Sequence, residues 1–156
     1  MLHHFHMLDC KATPTPFYLG VTFSTSYSSP SVDATLYQQL VGSLLYLTHT
    51  RPDLSFVVGL VSRFSQDPHE SHWQATKHIL CYIQGTLMYG IHYTSGIRHV
   101  VGYTDLDWVG DVDDQKSTSG FMFYLGSGPI TWSCKKQHAH ALSSTEAEYR
   151  AAILAS

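Results

Sequence analysis

Charge is scarce in this chain. Asp, Glu, Lys and Arg together make up 13% of 156 residues, against about a quarter in an ordinary soluble chain. A sequence so poor in charge and 44% hydrophobic does not suit a long disordered tail. Basic charge is the scarcer sign: Lys and Arg number 9, Asp and Glu 12, for a formal net charge of −3. That speaks against a free-standing basic module that grips phosphates through counterion release. Cysteine is scarce too. Cys10, Cys81 and Cys134 are far apart, odd in number and form no C-x-x-C pair, which disfavours a disulfide framework or a zinc finger and fits a reducing compartment. There is no run of about 18 apolar residues, so no membrane span is expected. Residues 1–6 carry neither a basic stretch nor a long apolar one, so no secretory signal is legible. The cytoplasm or the nucleus is the expected compartment. Histidine, by contrast, is plentiful at 11 residues, open to reading as metal ligands, a pH-sensitive surface or neither.

The length is room for one ordinary domain or two small ones, and the pattern changes once along it. Leu2, Phe5, Met7 and Leu8 recur at helical spacing, and residues 1–8 read as the tail of a helix cut from something longer. Two prolines in residues 9–16 (DCKATPTP) stop it. Residues 17–30 are rich in Ser, Thr and Tyr and read as loop. Asp33 then caps a helix whose stripe is Leu36, Leu40, Leu44 and Leu47, widened by Val41, Leu45 and Tyr46. Arg51-Pro52 breaks it, and Pro52 suits the first turn of a second helix over 53–64. A third helix is expected over about 70–83, with Trp73, Thr76, Leu80 and Ile83 on one side and Gly85 at its C-terminal end. After Gly90 the signals turn to strands: 100–104, then 120–125 (GFMFYL), a Gly-Ser-Gly-Pro hairpin turn, then 130–135 (ITWSCK). A helix opens at Ser143 and runs to at least Ala155 with no stop signal. Three parts follow: 1–32, a helix remnant and loop; 33–90, a small helical unit; and 91–156, three strands and a helix.

Two groups could carry chemistry. Asp105, Asp107, Asp111, Asp113 and Asp114 place five carboxylates within ten residues and no base among them. Packed closely they repel, unless a cation is present. Asp105 and Asp107 stand two apart at the end of a strand, where their side chains share a face. Such hard oxygen ligands suit Mg²⁺, which binds through one or two carboxylates and substrate phosphate oxygens. The plain alternative is a solvated acidic turn. The second group is Ser143-Ser-Thr-Glu146-Ala-Glu148. Ser143 and Glu146 fit a capping box, which leaves Glu148 without a structural task. Its face continues through Ala151, Ala152 and Ala155, small residues that let a helix approach a sheet. The alternative here is an Ala-rich helix with Glu148 facing water. Together, a carboxylate on the first strand and another on the following helix make a two-point cation site of the kind two-metal nucleases use.

Five segments carry a family resemblance: residues 37–53 (YQQLVGSLLYLTHTRPD), 72–86 (HWQATKHILCYIQGT), 102–110 (GYTDLDWVG), 116–120 (KSTSG) and 142–149 (LSSTEAEY). In that order they closely resemble the region just after the polymerase core in Ty1/copia-type retrotransposon Pol polyproteins, over nearly the whole chain. The resemblance implies that the first part is the end of a reverse transcriptase, its thumb and connection. It implies that the second part is the N-terminal half of a ribonuclease H domain, an α/β fold that opens with three antiparallel strands and a helix. It puts the first catalytic aspartate on Asp105 and the glutamate on Glu148, both as Mg²⁺ ligands. Asp107 shares the motif without a clear catalytic place, and Lys116–Ser119 has no firm role. The implied parent activity is two-metal hydrolysis of the RNA strand of an RNA–DNA hybrid, following reverse transcription, with selectivity resting on the 2′-hydroxyls.

The paired aspartates of a polymerase palm do not occur here. Neither does the third aspartate of a ribonuclease H site, in its Cys-Asp-Asn-like setting, nor the later fourth acidic residue. The chain resembles a reading frame left by a decayed element, and it is expected to be inactive alone. The alternative is a non-catalytic remnant that binds nucleic acid or protein. Partners implied are the hybrid in the parent polyprotein and the rest of that polyprotein, with no membrane. Arg98, Lys116, Lys135 and Lys136 form a thin basic patch that could touch phosphates or simply face water. Trp73, Trp108 and Trp132 could stack on bases but suit a core better. His3/His4/His6 and His138/His140 lack Cys or carboxylate partners at ligand spacing and read as surface histidines.

Overall fold

The Asp33 carboxylate accepts hydrogen bonds from the Thr35 and Leu36 amides at 2.8 and 3.3 Å, satisfying two of the donors that a helix start leaves open. In the computed structural model, which describes residues 1–17, 29–96, 99–107, 116–137 and 143–155, this cap opens helix α1, Ala34–Leu47. A single turn of 3₁₀ helix, Pro52–Leu54, leads into α2, Ser55–Ser62. Pro52 supplies a fixed φ where no amide is needed. Helix α3, Glu70–Gly85, follows. The strands are β1, Val100–Asp107, β2, Thr118–Leu125, and β3, Gly128–Lys136, and helix α4 is Ser144–Ala155. The fold is mixed α/β, divided into two compact units, Met1–Gly90 and Ile91–Ser156.

The first unit buries one continuous apolar cluster. Tyr37, Leu40, Val41 and Leu44 of α1 meet Val57, Val58 and Val61 of α2 and Ile79, Leu80 and Ile83 of α3. The buried stripe of α1 is rotated from the expected one. Tyr37 takes an inward place, while Leu36, Leu45 and Tyr46 face outward. Tyr37 can do so because its hydroxyl donates to the Val61 carbonyl oxygen at 2.8 Å, which satisfies a buried polar tip.

The helix expected over residues 1–8 is a run of turns. Leu2 packs into the cluster, with Phe5 and Met7 half-buried against it. His6 adopts φ 54°, a left-handed conformation that a helix does not continue through. Apolar docking explains that spacing as well as a helix does.

Three histidines hold this unit together. His72 is fully buried, stacked on Phe64 with ring centroids 3.9 Å apart, and accepts from the His69 amide at 3.0 Å. His69 Nδ1 meets the Ser29 carbonyl oxygen at 2.6 Å. An isolated antiparallel bridge pairs Ser31 with His69 beside it, so the chain before α1 is fastened to the start of α3. His78 bonds the Thr15 carbonyl oxygen through Nε2 at 2.9 Å.

In the second unit the sheet order is β1-β2-β3, both pairs antiparallel. Gly126 and Ser127 form a two-residue hairpin turn. Gly126 has φ 61° at the first central position, where a type II′ turn needs glycine. The β2–β3 register shifts between Phe123 and Tyr124, so that Pro129 lies opposite Tyr124 on an edge strand, a place where a residue without an amide proton is tolerated. Tyr93 lies over this turn and donates to the Pro129 carbonyl oxygen at 2.6 Å. Helix α4 packs against β1 and β2, through the buried Ala151.

Candidate functional site

Asp105 sits near the end of β1, paired in register with Gly120 of β2, and Asp107 is paired with Thr118. The Asp105 side chain is exposed. Asp111, Asp113 and Asp114 lie outside the described residues, as do Arg98, Trp108, His138 and His140. Glu148 is on the second turn of α4 and exposed. Its helix begins with the Glu146 amide donating to Ser143 Oγ at 3.1 Å, one half of the expected capping box. The packing of α4 differs from expectation in detail. Of the small residues read as one face with Glu148, Ala151 is buried and Ala152 is exposed. The helix thus turns Ala151 inward and leaves Ala152 and Glu148 exposed.

The structure therefore places the two carboxylates on elements that pack directly together, a strand and the helix laid against it. Exposed carboxylates are hard oxygen donors of the kind Mg²⁺ takes, with water or phosphate oxygens completing its octahedron. Among the described residues, no three or more His, Cys, Asp or Glu side chains are grouped so as to hold a metal. The described donors are thus two exposed carboxylates, which suit a hard cation only with water or phosphate oxygens beside them.

Basic and hydroxyl groups occupy the same end of the sheet. Lys135 is paired with Ser119 and Lys136 with Thr118, while Thr118 and Ser119 are paired on their other side with Asp107 and Leu106. The motif Lys116, Ser117, Thr118 and Ser119 has no firm role in the sequence, apart from the place of Lys116 in the thin basic patch. The last three are buried. Gln137 is the residue that sequence reasoning missed. It is buried, donates through Nε2 to Ser119 Oγ at 2.6 Å, and its amide donates to the Ser117 carbonyl oxygen at 2.8 Å. A glutamine just past a strand gives no local signal of such a role. These bonds hold the start of β2 against the end of β3, next to the Asp105–Gly120 pair.

The other candidates stay apart from the carboxylates. His3, His4 and His6 are exposed. Trp73 is half-buried beside Tyr37, with Lys77 Nζ 5.4 Å from its ring centroid. Trp132, also half-buried, is paired with Met122. Among the described residues no helix is long and apolar enough to cross a membrane.

Comparison with known proteins gives the family. The chain is 42% identical over 151 residues to the retrovirus-related Pol polyprotein from transposon RE2 of Arabidopsis thaliana, covering 96% of this chain and 10% of that protein. It is 44% identical over 151 residues to the Pol polyprotein from transposon RE1 of the same plant, with the same coverage. The chain belongs to the copia-type retrotransposon Pol polyprotein family. It spans about a tenth of the length of these Pol relatives. A further relative, 50% identical over 117 residues and covering 74% of this chain and 82% of its own length, is named secreted RxLR effector protein 161, from Plasmopara viticola. Most of the residues of this Pol segment that match it also match the polyproteins. No family model and no solved structure matches the segment.

Proposed function

We propose that the second unit is the opening part of a ribonuclease H-like domain and that the first unit is the end of a reverse transcriptase, its thumb and connection. In this reading the parent polyprotein cleaves the RNA strand of an RNA–DNA hybrid after reverse transcription. The observation that carries it is the placing of Asp105 on β1 and Glu148 on α4, the helix that packs against that strand. Asp105 and Glu148 are the residues that would hold Mg²⁺. Bound there, the ion would supply positive charge to a phosphodiester and to its leaving oxygen. This also eases the objection raised by the shortage of basic charge, because part of the counter-charge would come from metal. The work of the chain itself is to present two oxygen donors from a paired strand and a capped helix. Two carboxylates are too few to hold a pair of Mg²⁺ ions tightly, so the segment alone is expected to be inactive.

Manganese serves as a paramagnetic probe of the site. Titrated into the full chain, Mn²⁺ is expected to broaden the NMR signals of residues around Asp105 and Glu148 first, at millimolar concentration. Asp105→Asn or Glu148→Gln should remove that broadening. Broadening centred elsewhere would reject the assignment of the site. In the same preparation an RNA–DNA hybrid should remain uncut in Mg²⁺. Cleavage lost in Asp105→Asn would overturn the expected inactivity, whereas binding of the hybrid without cleavage would favour the non-catalytic reading.

A further inference from the structure

Histidine is abundant in this chain, and one of the 11 closes a clasp. Residues 30–32 run antiparallel to residues 68–70. The Val32 amide donates to the Pro68 carbonyl oxygen and the Glu70 amide to the Pro30 carbonyl oxygen, both at 2.9 Å, around the bridge between Ser31 and His69. The His69 ring lies across the end of this pairing. Its Nδ1 is 2.6 Å from the Ser29 carbonyl oxygen, and its Nε2 is 3.4 Å from an Asp67 carboxylate oxygen. The His69 amide is held as well, donating to His72 Nδ1 at 3.0 Å.

Both ring nitrogens of His69 thus face oxygens that only accept. A neutral imidazole has one N–H, so it serves one of these oxygens and turns a lone pair toward the other. Only the imidazolium donates to both. Other charges stand around the ring. Glu70 follows it in the first turn of α3, its Oε1 accepting from Gln74. His72 of α3 meets the ring edge-on at 5.9 Å and uses Nδ1 as an acceptor. The chain before α1 contributes the Ser29 carbonyl oxygen, and its next charged side chain, Asp33, is engaged in the α1 cap. The hydrogen bond to Ser29 raises the His69 value above the ordinary 6.5 against the opposing effect of burial, and the Asp67 carboxylate adds to it. The partial positive charge at the start of α3 works the other way, and Glu70 offsets it.

We propose that His69 is a pH-sensitive latch: as imidazolium it bridges the Ser29 carbonyl oxygen and the Asp67 carboxylate and fastens residues 29–32 to the start of α3, and on losing its proton it lets that pairing open more readily. Because the clasped state holds this proton more tightly than the open one, the contribution of the latch is complete below about pH 6.5 and fades as the pH rises through the higher value of the clasped state. The pairing ends one residue before the Asp33 cap, so the latch governs how firmly the chain enters α1.

The test follows the full chain, with its nitrogens labelled, by NMR from about pH 5.5 to about pH 8.5, on either side of the ordinary histidine value. His69 is expected to titrate above that value, and its high-pH form should carry the proton on Nδ1, the nitrogen that faces Ser29. Exchange protection of the Val32 and Glu70 amides, corrected for the intrinsic pH dependence of exchange, should be at least about threefold higher at the acid end, the change set by a midpoint about half a pH unit higher in the clasped state than in the open one. His69→Gln keeps a donor for the Ser29 carbonyl oxygen but does not titrate, so it should make the protection of both amides independent of pH. Asp67→Asn, a change at an exposed side chain, should lower the His69 midpoint. A wild-type midpoint at or below the ordinary value, a high-pH proton on Nε2, or a pH dependence that persists in His69→Gln would each overturn the latch. An unchanged midpoint in Asp67→Asn would count equally against the bridge.

Discussion

Arg51 shows how one residue ties two distant parts of the first unit together. Its Nε and Nη2 donate to the Asp53 carboxylate at 3.0 and 2.8 Å. Nη1 and Nη2 donate to the Thr86 carbonyl oxygen and Oγ1 at 3.0 and 2.8 Å. The rings of Tyr82 and Tyr89 lie 5.6 Å from the guanidinium carbon, and the Tyr82 hydroxyl donates to Asp53 at 2.9 Å. A planar fork can serve both directions at once, whereas an ammonium is a compact point charge. Arg51→Ala should destabilise the first unit by about 3 kcal/mol, at the low end for breaking a buried pair, because the Asp53 side chain is 35% exposed. Urea titration of the two proteins measures this, and a loss under about 1 kcal/mol would contradict the role. Burial alone would raise the Asp53 carboxyl, but the hydrogen bonds from Arg51 and Tyr82 outweigh it and hold it below its usual range. Its stabilising contribution is therefore complete above the ordinary carboxylate value near 4 and fades as the pH falls through the lower folded value. Asp53→Asn should flatten the stability of the first unit across that acid window. In the sequence, Arg51-Pro52 could be read only as a helix break, since nothing local marks a partner at Thr86.

At the scale of elements, close approach explains what propensity does not. Gly85 ends α3, where alanine would ordinarily favour the helix by up to about 1 kcal/mol. The Ala12 Cβ at 2.7 Å from the position of the new methyl belongs to a short, stiff side chain, so backbone must shift. Gly85→Ala is therefore expected to lower the melting temperature and to speed tryptic cleavage after Lys11, as residues 12–15 lift from the helix. An increase in melting temperature would show that the segment is not docked there. The glycine was legible in the sequence as a helix end, but the strap beside it was not, because a non-local contact leaves no periodicity. The same distinction runs through the fold. Helices α1 and α3, the Asp33 cap and the hairpin turn at Gly126 were legible because apolar spacing, capping and turn chemistry are local. The rotation of α1 toward Tyr37 was not, because it depends on a hydrogen bond to Val61, 24 residues away. Residues 1–8 gave a helical spacing that apolar docking satisfies equally well.

For the whole molecule, the uneven distribution of buried apolar surface decides the behaviour. The continuous apolar cluster lies wholly within Met1–Gly90. Among the described residues of the second unit, the buried positions include Ala151, Ser117, Thr118, Ser119 and Gln137, while Val100, Tyr103, Ile130, Tyr149 and Ile153 are exposed. Buried apolar area is the main source of stability at roughly 25 cal/mol per Å², and hydroxyl and amide groups contribute little net stability even when paired. Among the described residues of the second unit, β1 and β3 are the outer strands of the sheet, the position where a strand leaves one row of backbone groups unpaired by a neighbour. The same feature bears on the candidate site. Asp105 and Glu148 are 43 positions apart in the sequence; a strand followed by a helix already suggested that a carboxylate on each could form one cation site, and the family resemblance singled out these two. A candidate site carried by the unit with fewer buried apolar side chains among the described residues is held in geometry only as firmly as that unit is folded. Hydrogen exchange on the full chain, followed by mass spectrometry, should therefore show amides of β1 and α4 exchanging at least about tenfold faster than those of α1 and α3, through local opening of the second unit alone. Denaturant should open the second unit first and leave protection in α1 and α3 unchanged until a later transition. Equal protection in α4 and α3, or one shared transition, would mean that the sparse apolar contacts around Ala151 stabilise the second unit as strongly as the cluster around Leu40 and Leu80 does the first.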